Sequence, residues 1–299
     1  MLFINIILPV FMIVFVGFVM GRKLALDSTT LTNLSLYVLT PSLVLSALLK
    51  SPIPVDIGSR LALYMLLYTA LMLIAGWLTA TLFKIRGDSR QALYLSSAMM
   101  NIGNFGLPLA LFAYGSAGLD TSILIFVLFT IPLGTVGIVL AQGREASLKS
   151  AIFNAGKIPI FHAVILALFC QWIDLEVSGF LLNALDLVGQ AAVPVMLILL
   201  GMQLSHAKVI PAKRFLTLAT ILRLVIGPAI GWGLTLVLDI TGVERNVVIL
   251  QTSTPAAVLP LLYALRFNAR PDLVASSIFM TTLCSAGTLT LLLYLLELF

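Results

Sequence analysis

Asn101-Ile102-Gly103-Asn104-Phe105-Gly106-Leu107-Pro108 lies inside a long apolar stretch in the first half of the chain. Its counterpart in the second half is Thr252-Ser253-Thr254-Pro255-Ala256-Ala257-Val258-Leu259-Pro260. Glycine and proline both weaken a helix interior, and proline also removes a backbone donor. Unpaired backbone at membrane depth survives only where protein or a water-filled cavity receives it. Two interrupted helices at matching places in two halves are typical of the binding site of a secondary transporter.

The composition is that of a polytopic membrane protein built from helices. Of the 299 residues, 61% are hydrophobic and only 10% are charged, with a mean hydropathy of +1.13. A soluble domain of this size carries about 25% charged residues. The two cysteines, Cys170 and Cys284, both lie in apolar segments, so neither a disulfide framework nor a metal cluster is predicted.

The hydropathy pattern divides the chain into spans, each of which needs about 20 mostly apolar residues. Ten are predicted, at approximately 3–21, 30–49, 61–83, 91–114, 120–141, 151–173, 179–203, 214–238, 246–265 and 272–296. The longest hydrophilic stretch, 142–157, joins spans five and six. The chain begins without the basic lead-in of a cleaved signal peptide, and its start is interpreted as the beginning of span one.

Basic residues orient these spans. Thirteen of the 17 Lys and Arg residues fall in loops after odd-numbered spans, three fall after even-numbered spans, and Arg223 lies inside span eight. Because cytoplasmic loops carry the excess of Lys and Arg, both termini are predicted to be extracytoplasmic in an inner (plasma) membrane. The formal charge of +5 therefore reflects membrane topology, and binding of nucleic acid is not predicted.

Prolines recur at a nearly constant offset between the two halves. Pro9 and Pro159 are 150 residues apart, Pro41 and Pro194 are 153 apart, and Pro108 and Pro260 are 152 apart. This spacing predicts two five-span repeats, residues 1–145 and 146–299. Because five is odd, the second repeat is inverted relative to the first, as in transporters that open alternately to each side.

The first interruption could present side-chain amides and unwound backbone to a ligand. Asn101 and Asn104 supply side-chain amides, while Gly103 and Gly106 allow unwound backbone to approach a ligand closely. Pro108 can begin the second half-helix, because a missing N–H costs nothing there. Such a helix would direct the positive end of its dipole at the membrane midplane.

The second interruption supplies hydroxyls from Ser253 and Thr254, and Pro255 and Pro260 break its hydrogen-bond ladder. Crossed interruptions from the two halves would form a small polar site that favours an anion. The alternative is that both segments are kinked helices whose polar residues only satisfy the kink.

Arg223 is predicted to lie about 14 Å into the membrane, nine residues beyond Arg214. A charge at that depth needs a partner or water. Three roles stay open: it could bind an anionic substrate, pair with Asp186 in span seven, or cap the C-terminal carbonyls of an interrupted helix.

Few residues could couple transport to an ion or catalyse a reaction. Asp186 is the only acidic residue well inside a predicted span, so proton coupling has little support and uniport driven by membrane potential stays open. No Ser–His–Asp set, HExxH motif or carboxylate cluster is present, so neither an enzyme nor a bound cofactor is predicted. A sensor or scaffold with a transporter-like fold is a weaker alternative.

The span-four motif Asn101-x-Gly103-Asn104-x-Gly106-Leu107-Pro108, with Thr40-Pro41 and Thr254-Pro255 through Leu259-Pro260, resembles the auxin efflux carrier family. Its bacterial members are often called malonate-type or organic-acid permeases. The resemblance implies ten spans in two inverted repeats, with helices four and nine broken and crossing, an architecture related to the bile-acid sodium symporters.

The resemblance also implies a mechanism. Spans 1, 2, 6 and 7 would form a scaffold, and spans 3–5 and 8–10 a domain that moves like an elevator with an organic anion. It matches Asn101, Asn104 and Pro108 to the first crossover and Pro255 and Pro260 to the second, and Arg223 fits a basic position in span eight. The leading hypothesis is efflux or uniport of a small carboxylate, with sodium- or proton-coupled symport as the alternative and a homodimer left open.

Overall fold

The computed structural model describes residues 2–24, 26–51, 55–143, 156 and 158–298. Most of the predicted 142–157 connection, with Arg144, Lys149 and Lys157, and the start of predicted span six therefore lie outside the described residues. The described residues form helices and no strand beyond one isolated bridge. The helices are α1 (Phe3–Lys23), α2 (Ser28–Lys50), α3 (Val55–Leu82), α4 (Asp88–Ala98), α5 (Ile102–Gln142), α6 (Pro159–Trp172), α7 (Gly179–Ser205), α8 (Lys213–Val237), α9 (Gly242–Thr252), α10 (Leu259–Phe267) and α11 (Pro271–Leu298).

Seven helices in the described part of the chain are long and apolar enough to cross a membrane, namely α1, α2, α3, α5, α7, α8 and α11. Helix α6 is apolar but shorter. The predicted spans four and nine fall on shorter segments, α4 with the start of α5, and α9 with α10. The chain is thus a multi-span membrane protein, while the count of ten spans stays a prediction.

Helix α5 bends sharply at Gly115, where the sequence predicts the boundary between spans four and five. Gly115 has a φ of 65° and a ψ of −151°, which are not helical. Only glycine adopts this backbone geometry without strain, because it has no Cβ. The bend separates the first turns of α5 from the long apolar segment that follows.

Wide π-helical turns precede four of the prolines. The turns Phe3–Ile7, Ser35–Leu39, Ile102–Gly106 and Leu222–Ile226 each end two residues before a proline, and the prolines are Pro9, Pro41, Pro108 and Pro228. Proline donates no hydrogen bond, and its ring crowds the carbonyl four residues earlier. Widening the preceding turn accommodates both effects without ending the helix.

Helix α1 packs on α7 at very short range through glycines. A Cβ placed on Gly17 would lie against the carbonyl oxygen of Ile198, and one on Gly201 against that of Val14. Gly17 and Gly21 form a small-xxx-small pattern, which allows membrane helices to approach backbone to backbone. The two helices therefore form a rigid pair.

Helix α2 packs against α6 and α7, with polar contacts near its C-terminal end. Gln171 Nε2 of α6 donates to Leu48 O at 2.7 Å. Asp186 of α7 forms a 2.7 Å ion pair with Lys50 and accepts a hydrogen bond from Ser46 Oγ at 3.1 Å. The pairing of Asp186 with Arg223, one of the alternatives from the sequence, is wrong. The carboxylate of Asp186 binds residues of α2, and Arg223 binds other groups.

A second group of helices packs around α3, α8 and α9. Tyr64 of α3 donates to Gly231 O of α8 at 2.9 Å, and Tyr68 donates to Thr252 O of α9 at 3.1 Å. Helix α9 packs on α5, and α4 packs on α11. The interrupted segments thus belong to this second group, and the first group, α1, α2, α6 and α7, lies beside it.

Candidate functional site

The two interruptions meet and satisfy each other's backbone. The amide of Asn101 donates to Pro255 O at 2.9 Å, and the amide of Ala257 donates to Met99 O at 2.9 Å. Met100 and Ala256 form an antiparallel bridge between these bonds. We call this meeting point of residues 99–101 and 255–257 the crossing. Backbone N–H and C=O groups that would be unpaired at membrane depth are paired across it, as non-helical backbone buried in protein requires.

The first interruption lies earlier than the sequence predicts. Non-helical backbone is confined to 99–101, and the helix resumes at Ile102 as a π-helical turn that contains Gly103, Asn104 and Gly106. The second interruption runs over 253–258. Pro108 and Pro260 lie in the first turn of the α-helical segments that follow, where proline is favourable.

A cavity of about 190 Å³ opens beside the crossing, between α2, α5, α7 and α10. It lies at the boundary between the two helix groups. Its polar lining comes from both groups, and consists of Thr32, Ser35, Thr40, Asn101, Asn104, Thr130 and Gln203. Gly103 also contributes to the wall.

Two buried polar atoms in the cavity wall lack partners within the described protein. Asn101 is only 4% exposed, and its Nδ2 has no hydrogen-bond acceptor there. Gln203 Oε1, on the opposite helix group, likewise has no donor. Leaving such a group unsatisfied costs about 1–3 kcal/mol. Both residues line the same cavity, one from each helix group.

Two helix N-termini begin at the same cavity. Ile102 starts α5 and Leu259 starts α10, and both residues line the wall. The first N–H groups of a helix have no intrahelical partner, and they carry the positive end of the dipole. None of the described lining residues is charged. The positive potential there comes from backbone, which suits an anionic group.

The rest of the wall is apolar and aromatic. It includes Phe126, Phe129 and Leu133 of α5 and Met196 and Leu199 of α7. The cavity wall therefore combines a few polar groups with an apolar and aromatic surface.

The hydroxyls predicted at the second interruption serve their own helix. Ser253 Oγ donates to Ile249 O at 2.6 Å, and Thr254 Oγ1 donates to Gln251 O at 2.7 Å. Neither residue lines the cavity, and neither does Pro255. The second interruption contributes Ala257, Val258 and Leu259 instead. Pro108 and Pro260 are also buried outside the cavity wall.

Arg223 does not line the cavity, and it binds backbone carbonyls near the ends of the two helices that precede the crossing. It is fully buried, and its Nη1 donates to Ser97 O at 2.9 Å. Its Nη2 contacts Thr252 O and the hydroxyl of Tyr68. Ser97 lies in the last turn of α4 and Thr252 is the last residue of α9, so these contacts are those of the helix cap that the sequence left open. The structure brings Asn101, Gly103 and Asn104 together, and keeps Arg223 apart from them.

Two groups in this region were missed by sequence reasoning. Gln203 is an isolated amide in the apolar run of α7, and this isolation was the available signal. Gln251 is fully buried, and its Nε2 donates to Gly106 O at 2.9 Å and to Ser122 Oγ at 2.6 Å. It fixes α9 to the π-helical turn that carries Asn104.

Comparison with known proteins gives matches over nearly the whole chain. A family model described as membrane transport protein matches residues 2–158 and 145–293. An uncharacterized transporter of Methanothermobacter thermautotrophicus is 30% identical over 300 residues, which covers 95% of this chain and 95% of that protein. Another uncharacterized transporter, from Methanocaldococcus jannaschii, is 28% identical over 291 residues, covering 93% and 94%. Auxin efflux carrier component 1 of Arabidopsis thaliana is 25% identical over 128 residues, covering 42% of this chain and 20% of that protein.

Proposed function

We propose that this chain, which belongs to the membrane transport protein family, moves an organic carboxylate across the plasma membrane. This is the auxin efflux carrier-like family of membrane transporters that its motifs resemble. The observation that carries the proposal is the buried side chain of Asn101, whose Nδ2 has no partner among the described residues, in the wall of a cavity where two helix N-termini begin. A carboxylate accepts hydrogen bonds from amides and from helix N-termini alike.

The cavity narrows the substrate class. An apolar wall with a few convergent polar groups is the usual form of a small-molecule site. Because the wall opposite the crossing is aromatic and aliphatic, the substrate we propose is a monocarboxylate with an apolar body. None of the described lining residues is charged, so the second carboxylate of a short dicarboxylate would be buried without an ion-pair partner, which is costly.

The helix grouping supports an elevator-type mechanism. The cavity lies between α1, α2, α6 and α7 on one side and the group that contains the crossing on the other. If the second group moves against the first, a carboxylate held at the crossing is carried between the two membrane faces. The first group is stiffened by the close glycine packing of α1 on α7, which suits a scaffold.

The contacts also support an inverted repeat within this fold. Helix α1 packs on α7 while α2 packs on α6, and α4 packs on α11 while α5 packs on α9. A twofold axis that exchanges the halves maps each of these contacts onto its partner. We propose ten spans in total, with both termini extracytoplasmic. A C-terminal alkaline-phosphatase fusion is then active, and an inactive one beside an active cytoplasmic reporter contradicts that topology.

Efflux or uniport is the mode we propose, with sodium- or proton-coupled symport as the alternative. The test is flux through purified full-length protein in proteoliposomes, with a potassium diffusion potential and a panel of mono- and dicarboxylates. We expect potential-driven movement of aryl or medium-chain monocarboxylates, and much slower movement of malonate. Transport of amines or neutral solutes without any carboxylate flux would contradict the proposal.

A further inference from the structure

Arg223 is a fully buried cation whose hydrogen bonds among the described residues are all donated to backbone and hydroxyl oxygens. Its acceptors are Ser97 O, Thr252 O and the hydroxyl of Tyr68, and no salt bridge to it occurs within the described residues. The guanidinium carbon also lies 5.8 Å from the centre of the Tyr68 ring. A charge buried inside a membrane-spanning segment is rare and usually functional.

The two carbonyls come from equivalent places in the two halves. Ser97 lies in the last turn of α4, two residues before the first interruption, and Thr252 is the last residue of α9, directly before the second. Helix C-termini carry the negative end of the dipole. In transporters with broken helices, such ends and unwound carbonyls are where coupling cations bind. The crossing therefore has two electrostatic sides, with positive helix ends at the cavity and negative helix ends at Arg223.

The fold makes room for a guanidinium at this point. Arg223 lies in the π-helical turn Leu222–Ile226, and Gly227 follows one turn later on the same helix. A Cβ on Gly227 would lie 2.9 Å from Arg223 Nη2 and 2.9 Å from the Tyr68 hydroxyl, so a larger residue would crowd both groups. A planar guanidinium with five donors can bridge two carbonyls at once, which an ammonium group does less well.

We propose that the Arg223 guanidinium is a resident cation that takes the place of a coupling cation between the two broken helices. The transport cycle then runs without a co-transported sodium ion, and each cycle moves only the charge of the substrate. This inference rests on the proposed transport function for its flux consequence. Its binding consequence, a cation site that opens when the side chain is removed, is independent of the substrate.

The first arm of the test uses the purified full-length protein without any mutation. Sodium is replaced by choline at constant ionic strength, and both Tm and carboxylate flux are measured. We expect neither to change. A specific rise in Tm with sodium, or flux that needs a sodium gradient, would overturn the proposal.

The second arm asks whether an added cation replaces the missing side chain. Arg223→Ala is expected to lower Tm by several degrees, and guanidinium chloride far below denaturing concentrations should restore at least half of that loss. The matched control is Arg214→Ala, on the same helix but exposed, which guanidinium should not stabilise. If Arg223→Ala does not fold, the same guanidinium rescue is measured on Arg223→Gln, because this substitution also removes the charge.

The outcomes separate this inference from the transport proposal. A variant at Arg223 that neither guanidinium nor sodium stabilises more than the control would overturn the resident-cation site, whatever the flux. Absence of carboxylate flux in the wild type, with guanidinium rescue intact, would contradict the transport proposal and leave the cation site standing.

Discussion

The backbone amide of Asn101 donates to the carbonyl oxygen of Pro255 across 2.9 Å, which joins the two interrupted segments where they meet. This bond satisfies the backbone amide of Asn101 and holds the residue at the wall of the cavity. The side-chain Nδ2 has no hydrogen-bond partner among the described residues, so no hydrogen bond of the fold depends on it. The same crossing turns its negative helix ends away from the cavity and towards Arg223.

Asn101→Ala is expected to weaken carboxylate binding and leave stability nearly unchanged. Because Nδ2 has no protein acceptor among the described residues, its removal breaks no internal hydrogen bond. Loss of one hydrogen bond to a charged ligand group costs roughly 1.4 kcal/mol or more, about tenfold in affinity. Apparent KM for flux and Tm should be measured on the same preparation. Asn183→Ala, an exposed asparagine on α7, is the control, and a Tm loss with unchanged KM would contradict this role.

Gln251→Ala is expected to lower stability and to leave carboxylate binding nearly unchanged, the reverse of Asn101→Ala. The substitution leaves Gly106 O and Ser122 Oγ without the donor that they share. An unsatisfied buried acceptor costs about 1–3 kcal/mol, which lowers Tm by a few degrees. In a double-mutant cycle with Ser122→Ala, the two effects should be clearly less than additive. Strict additivity would show that the 2.6 Å contact has no energetic weight.

Gly106→Ala should destabilise the crossing through a steric conflict with Gln251. The new Cβ would overlap Gln251 Oε1 and lie 2.8 Å from Cδ, although the backbone of Gly106 is helical and accepts alanine. Adding Gln251→Ala to Gly106→Ala should therefore recover part of the lost Tm. The single variant Gly287→Ala, which has open space around its Cβ, serves as the control. A double variant that melts below both single variants would rule out this explanation.

Gly201→Ala is expected to push α1 away from α7 and lower Tm. Its Cβ would meet the carbonyl oxygen of Val14, and backbone atoms cannot move as a side chain can. Gly233→Ala on α8 has open space and should be neutral or slightly stabilising, since alanine favours helix. Substrate KM should hold for the Gly201 variant, because the contact lies outside the cavity. An unchanged Tm would contradict the close packing of α1 on α7.

The sequence predicted the interrupted segments because glycine and proline act locally. It placed the break too far along, since Pro108 is accommodated by widening the turn before it instead of by ending the helix. Asn101, Gly103 and Asn104 line one cavity wall, while their role as substrate ligands stays a prediction.

Roles that depend on tertiary partners could not be read from the sequence. Hydroxyls such as that of Ser253 look available for a ligand, yet they bond to carbonyls one turn earlier in their own helix. The partners of Arg223 lie on three other helices, so sequence position alone left its role open among three. The roles of Gln203 and Gln251 depend on neighbours that sequence position does not reveal.

The most direct test of the central claim is substrate protection of a cysteine at the cavity wall. Cys170 and Cys284 are the only cysteines in the sequence, so a cysteine-free background needs two substitutions. In that background, a thiol reagent should label Asn104→Cys, and a monocarboxylate that the protein transports should slow the labelling at concentrations near its KM. The control Asn183→Cys should label at the same rate with and without substrate. Labelling of Asn104→Cys that a transported carboxylate leaves unchanged would contradict the cavity as the binding site.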